Sequence, residues 1–314
     1  MTSNLVRTAV VASLALVLSV QGCDSGRRMR QSPPSSSALS LETLKNMTYD
    51  GFDGLDGPIV LKDGVWEGDP YEPASAARPR VVFAGDDFLS GDLDGELGEE
   101  AVVFLALSTG GSGQLTYVCV VGMDRGEPVQ RATAVVGDRV QIRNARLIDR
   151  NILLDVVEAG PGDPACCPGQ LSSYGWRLLH EGVLERRTLS ETPGRLSLET
   201  IQGQEWVLRS WDINEPAPSS PVVTLTYSGG KFVGTGGCNR YFASVSGGVS
   251  AGDITVGPLG STQMACPEED MAIEGRFLGN LGRAAKFGFM FGRLTITCQR
   301  DGGLSTMIFE RRSL

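Results

Sequence analysis

Apolar positions in this chain fall into short runs separated by glycine, and only one stretch carries a helical period. In the first part, strand-like runs occupy 79–83, 101–107, 115–121, 139–146 and 152–157. Turn signals such as Gly110-Gly111-Ser112-Gly113 and Gly137-Asp138-Arg139 separate them. In the second part, strands read at 206–211, 222–227, 231–235 and 253–256, with Gly229-Gly230 as a hairpin turn. A helix then begins at Pro267-Glu268-Glu269-Asp270, where proline suits the first helical position and acids suit the positive end of the macrodipole. Ile273, Phe277 and Leu281 recur on one face beside Met271 and Leu278, a stripe expected to be core. Strands at 293–299 and 305–309 follow as a hairpin around Arg300-Asp301-Gly302-Gly303. The expectation is a mainly β chain with some α, of the α+β class, and its 41 glycines agree with many turns.

The start of the chain has a different pattern. Arg7 precedes an apolar run at 8–20 that is shorter than the roughly 20 residues a spanning helix needs, which suits an export signal. The run ends in Val20-Gln21-Gly22-Cys23, which resembles a lipobox, with Gln21 departing from the usual pattern. That resemblance implies cleavage before Cys23 and acylation of its thiol and amine by palmitate-class chains. More than one chain is needed for stable anchoring, since each buried methylene adds only about 0.8 kcal/mol. The alternatives are a secreted chain cut elsewhere and an uncleaved anchor. Asp24 resembles an inner-membrane retention signal, which favours that membrane over the outer one. Arg27, Arg28 and Arg30 either touch anionic head groups or are solvated linker charges.

The organisation expected is therefore a signal peptide at 1–22, a lipidated cysteine with a Ser/Pro-rich tether at 23–39, a β-rich module at 40–190, and a second domain at 197–314. Pro193 and Gly194 mark the join. The pentapeptide Leu-Ser-Leu-Glu-Thr occurs at 39–43 and again at 196–200, and nothing after either copy aligns.

Two segments of the second domain are specific. Gly234-Thr235-Gly236-Gly237-Cys238-Asn239-Arg240-Tyr241 resembles the G-x-x-G-C-N-x-Y segment of the META domain of HslJ-like heat-shock lipoproteins, and Thr262-Gln263-Met264-Ala265-Cys266 resembles its T-x-M-A-C segment. The motif positions are Gly237, Cys238, Asn239, Tyr241, Thr262, Met264 and Cys266. The resemblance implies a β-sheet with one packed helix, an envelope setting, and no established catalytic activity. Read without the family, Gly236-Gly237 permits a tight turn, and Asn239 tolerates left-handed geometry and bonds to its own backbone. Cys238 and Cys266 each flank a turn. Bridged, they add roughly 3 kcal/mol; unbridged, they are buried thiols or a reactive pair. The first module resembles an uncharacterised module of bacterial surface lipoproteins through 91–105, 109–113 and 163–169, and that likeness carries no activity.

Composition narrows the function. With 37 acidic against 28 basic side chains the chain lacks a nucleic-acid footprint. Setting Cys23 aside leaves Cys119, Cys166, Cys167, Cys238, Cys266 and Cys298, an even set that suits an oxidising compartment. Cys166-Cys167 forms either a strained vicinal bridge, which is easily reduced and would permit redox sensing, or separate bridges, with Cys119 as a partner for one of them; without C-x-x-C spacing, thioredoxin-like chemistry is unsupported. Cys298 has no counterpart in the two motifs.

The sharpest chemical signal is acidic. Asp92, Asp94 and Glu96 alternate in a loop turned by Gly95, with Glu100 following, the kind of oxygen ligand set Ca²⁺ takes. The segment resembles the D-x-D-G-D-G-x-x-D loops of β-propeller and related calcium sites, but Glu96 replaces the usual Asp, Leu97 stands where the second glycine belongs, and Val103 at position 12 excludes an EF-hand. The bland reading is a solvated acidic turn. His180 is the lone histidine, so multi-histidine zinc sites are excluded and a Ser-His-Asp triad has little to build on. No Walker-type phosphate loop is present, whereas carboxylate pairs remain available in any acidic chain.

The reading is a non-catalytic envelope lipoprotein that binds or stabilises envelope components, in keeping with a stress response. Its partners are the membrane and an unidentified envelope protein or ligand, with no firm cofactor. The alternatives are a calcium-dependent binding or adhesion module and a periplasmic enzyme or enzyme inhibitor.

Overall fold

In the computed structural model, the described residues are 39–72, 77–96, 98–111, 113–164, 166–180, 182–190, 194–300 and 302–312. Cys23, Asp24, the export signal, nearly all of the tether and 191–193 of the join lie outside them, as does Leu97. The protein is mostly strand with one main helix, a mainly β member of the α+β class.

Strand Glu100–Ser108 is buried at every position but its last. Successive side chains of a strand point to opposite faces, so such a strand needs a cover on each side. It lies at the centre of a five-stranded antiparallel sheet ordered Val65–Glu67, Arg80–Gly91, Glu100–Ser108, Leu115–Asp124, Glu127–Asp138. On one face Val103, Leu105 and Leu107 join Tyr117 and Val121, and are covered by Leu44, Tyr49, Phe52 and Leu61 from the preceding segment. On the other, Val102 and Phe104 join Val118 and Val120 and meet Ile152, Leu154 and Trp176 of a second sheet. That sheet runs Val183–Thr188, Gln170–Leu179, Asn151–Glu158, Gln141–Ile148, with Gly194–Arg195 paired beside Gln170–Leu179.

The repeated pentapeptide yields the same local event twice. Ser40 is the N-cap of helix Leu41–Leu44, its hydroxyl accepting the Thr43 N–H at 3.1 Å. Ser197 is the N-cap of the 3-10 turn Leu198–Ile201, its N–H donating to the Thr200 hydroxyl at 3.3 Å. Pairing a serine cap with a threonine three residues on satisfies end donors in both places.

The third sheet holds the strands Ile254–Ser261, Arg240–Gly247, Lys231–Thr235, Thr224–Ser228, Glu205–Asp212, Gly303–Arg311, Arg293–Arg300 and Ala284–Met290 in that order, with Glu215–Pro216 beside Glu205–Asp212. Gly229 and Gly230, both at positive φ, close the tight hairpin in which Ser228 faces Lys231. The helix spans Glu268–Leu281, with Pro267 as its N-cap rather than its first helical residue. Phe277 and Leu281 enter a cluster with Trp206, Phe232, Tyr241 and Phe309. The Phe277 ring meets Tyr241 edge-on at 5.2 Å and Phe309 at 6.5 Å. Ile273 and Leu278 pack at the margin, while Met271 is exposed.

The third sheet touches the second through the Ala284–Met290 hairpin. Gln141 Oε1 accepts the Phe289 N–H at 2.8 Å, and the Gly292 N–H donates to the Ile142 carbonyl at 2.9 Å. Phe291 turns at positive φ and sets its ring 6.1 Å from Phe104. Arg293 closes the contact on Asp86 at 2.9 Å. Phe277→Ala should cost about 3–5 kcal/mol, because it empties the ring junction under the helix. Denaturant unfolding checks this, and a loss below about 1 kcal/mol would show that the helix is not anchored there.

Candidate functional site

The Gly-Gly-Cys-Asn turn lies against the amino-terminal half of the helix. A Cβ at Gly236 would stand 2.8 Å from Glu274 Cγ, and Gly237 has φ +124, so one glycine makes room for Glu274 and the other for the turn. Asn239 is buried and does not adopt the left-handed geometry that asparagine tolerates. Nor does its side chain close on its own backbone; it joins three segments. Oδ1 accepts the Thr262 hydroxyl at 2.8 Å and the Met264 N–H at 2.7 Å. Nδ2 donates to Glu274 Oε1 at 3.0 Å and, more weakly, to the Met264 carbonyl at 3.4 Å. The Asn239 backbone N–H donates to the other Glu274 oxygen. Every polar atom of the amide is satisfied within the protein, as burial requires.

The remaining motif residues surround this knot. Cys238 and Cys266 form a disulfide with a Cα separation of 6.0 Å. Tyr241 donates to the Thr224 carbonyl at 3.0 Å, and burial raises its pKa. Thr262 accepts the Arg240 N–H at 3.2 Å. Met264 contributes its backbone, while its side chain is exposed. Glu274 is the partner that sequence reasoning missed. Its signal was a carboxylate on the flank of the apolar helical stripe.

The acidic loop draws together three of its four expected carboxylates. One oxygen each from Asp92, Asp94 and Glu100 lies within 4.8 Å of the others, an arrangement able to hold a cation. Asp92 accepts the Gly95 N–H at 2.6 Å and Asp94 accepts the Glu96 N–H at 2.8 Å. Glu100 is buried and accepts the Leu93 N–H at 2.8 Å. Glu96 does not join them: it is exposed and contributes its backbone alone. Arg150 is already close, at 3.2 Å from Asp92, with its guanidinium where a Cβ on Gly95 would fall. Desolvation first, then the neighbouring Asp94 and Asp92 charges, raise the Glu100 pKa against the lowering effect of its backbone hydrogen bonds.

The other cysteines do not pair as the even count suggested. Cys119 is a free thiol in the core of the first sheet, pushed up to about 12 by burial, so it does not serve as a partner for Cys166 or Cys167. Cys298 is likewise buried, free and pushed up to about 12. Cys166 and Cys167 sit together on a loop as free thiols with their sulfurs 2.7 Å apart. His180 is exposed just beyond strand Gln170–Leu179.

Residues 199–311 match the family model of the META domain, so the carboxy-terminal part of the chain carries a META domain. No curated protein matches the chain. A solved structure titled NMR structure of the protein from Burkholderia xenovorans is 25% identical, covering 41% of this chain and 97% of that one, with a TM-score of 0.30.

Asn239→Ala should destabilise by about 2 kcal/mol or more, since it strands Glu274 Oε1 and the Thr262 and Met264 donors. Thermal or denaturant unfolding reads this, and a neutral effect would show that the knot is dispensable. For Glu100 the sign follows from its raised pKa. Its protonated form contributes stability below the unfolded value of about 4.3, and that contribution is lost as pH rises through the raised folded value. Glu100→Gln should therefore melt above the parent at pH 7, with the advantage vanishing below about pH 4. An advantage independent of pH would contradict the burial cost.

Proposed function

We propose that this is a non-catalytic lipoprotein of the bacterial envelope, anchored through Cys23 and facing the periplasm, whose folded body binds or stabilises other envelope components. The observation that carries the reading is the inward closure of the META motif. Asn239, Thr262 and Glu274 use their polar groups on one another and on backbone, which makes the motif a device for folding rather than for turnover. A general acid or base needs reach to a substrate proton, and these groups have none to spare. The Cys238–Cys266 disulfide suits an oxidising compartment. Asp24 favours the inner membrane over the outer, and heat stress is the natural condition in which a stabilising partner would matter.

Cys23→Ser should move the protein from the membrane to the soluble fraction, and mass spectrometry of the mature amino terminus should find acylated Cys23. A variant that stays membrane-bound, or a terminus elsewhere, would overturn the anchor. Crosslinking in intact cells before and after heat stress should enrich the same envelope component, and the enrichment should fall with Cys23→Ser. No recurring envelope component would reject the binding role.

A second reading is favoured by the convergence of Asp92, Asp94 and Glu100: a calcium-dependent binding module. Three carboxylates at one point suit a hard divalent cation, and Arg150 would compete with it for Asp92. Millimolar calcium should then raise the melting temperature of the parent but not of Asp94→Asn. An unchanged melting curve would leave Arg150 as the loop's cation.

A further inference from the structure

Between strands Asn151–Glu158 and Gln170–Leu179 the chain makes a loop that carries Cys166 and Cys167. Asp163 holds the loop in shape. Its carboxylate accepts the N–H groups of Gly160 at 2.8 Å and Gly169 at 3.0 Å, and pairs with Arg195 at 2.7 Å. These contacts, the Arg195 hydrogen bond foremost, hold its pKa down at about 2. The Cys167 N–H donates to the Pro164 carbonyl at 2.9 Å. Asp163 is thus tied to Gly160, Gly169 and Arg195 beside the two thiols, of which Cys166 is exposed and Cys167 half-buried.

Across from the loop stands Lys286, in the META strand Ala284–Met290. Its ammonium donates to Cys167 Sγ at 3.3 Å. Lys286 is the one charged residue in that strand, and its backbone is bridged to Asp253. The charged and titratable groups that act on Cys167 are Cys166, Lys286 and Asp253. The hydrogen bond shared with Cys166 lowers its pKa most and Lys286 adds to this, while burial and Asp253 oppose them, with the net direction downward. Cys166 is shifted upward by the same shared hydrogen bond.

We propose that Cys166, Cys167 and Lys286 form a thiol–disulfide exchange site whose substrate is an accessible disulfide. The Cys167 thiolate, stabilised by the Lys286 ammonium, attacks one sulfur of the substrate disulfide. That S–S bond breaks, and the second substrate sulfur leaves as a thiolate and takes up a proton. The Cys166 thiol then loses its proton and attacks the Cys167 sulfur, expelling the first substrate sulfur, which is protonated in turn. Two electrons pass to the substrate, which becomes two thiols, while the pair becomes a vicinal disulfide. Adjacent Cα atoms lie about 3.8 Å apart, short of the usual disulfide span, so the bridge is strained and reopens readily with a dithiol. The same geometry that brings the sulfurs together thus makes the exchange reversible. Cys119 and Cys298 are too deeply buried to compete.

The test uses the full chain, with peptide mapping to separate the pair from Cys23. Oxidised glutathione should remove two hydrogens from the peptide carrying Cys166 and Cys167, without leaving glutathione attached. Cys166→Ser should instead trap glutathione on Cys167, because the resolving thiol is gone. Insulin, offered as a protein disulfide, tells whether the site takes proteins as well as small disulfides, and closure with either supports the proposal. If neither closes the pair, or if glutathione accumulates on the parent, the proposal fails. Lys286 is a positioning residue here. Lys286→Met should slow Cys167 alkylation at neutral pH several-fold and move its pH profile upward, and Lys286→Arg should restore it. An unchanged profile would remove the lysine from the site.

Discussion

The structure depends on a strand that has no solvent face. Glu100–Ser108 buries both of its side-chain rows, so the sheet around it must be a middle layer. One cover comes from the segment carrying Leu44, Tyr49, Phe52 and Leu61, and the other from the sheet carrying Ile152, Leu154 and Trp176. Once the second sheet is in place, its strand Gln141–Ile148 meets the META hairpin through Gln141 and Ile142. At the same hairpin Phe291 sets its ring 6.1 Å from Phe104 of the central strand. The central strand begins at Glu100, so the same layering draws a carboxylate out of water and places it beside Asp92 and Asp94. The acidic loop and the apolar core are one feature seen from two sides.

The META part solves a different problem, that of burying polar backbone at a turn. A loop that crosses a helix leaves N–H groups without ladder partners, and an unmet buried donor costs about 1–3 kcal/mol. Asn239 and Glu274 supply the missing acceptors, and Thr262 is held by the same amide. The disulfide then pins two segments that the hydrogen bonds already align. Gly236 is required because Glu274 approaches so closely. The residues that make the family recognisable are therefore those that close this knot.

The parts of the fold that were readable in advance have strong local chemistry. The helix showed its acidic first turn and apolar stripe, and the Gly229-Gly230 hairpin showed its turn. Several strands, Gln170–Leu179 and Val183–Thr188 among them, were not read at all, and three others show why. Glu127–Asp138 has mixed burial and is largely polar at its start. Arg240–Gly247 alternates cleanly in the fold, with Tyr241, Ala243 and Val245 inward, but exposed Phe242 hides the pattern in the sequence. Ala284–Met290 is interrupted by Lys286 and Gly288. The cysteines were legible in number but not in state, because pairing depends on distance and burial. Cys119 lies in a core and the vicinal pair on a loop, a difference that spacing does not carry.

Lys286 shows why a site of this kind escapes sequence reading altogether. A cation lowers a thiol's pKa only within a few ångströms, and 119 positions separate it from Cys167. The two belong to segments that the sequence assigned to different domains. Their meeting follows from the layering: the second sheet carries the loop, the META hairpin packs against that sheet, and its lysine arrives beside the sulfur. On the other side Asp163 pairs with Arg195, 32 positions away. The ammonium donates to Cys167 Sγ, which singles out one member of a pair whose sequence is the same residue twice.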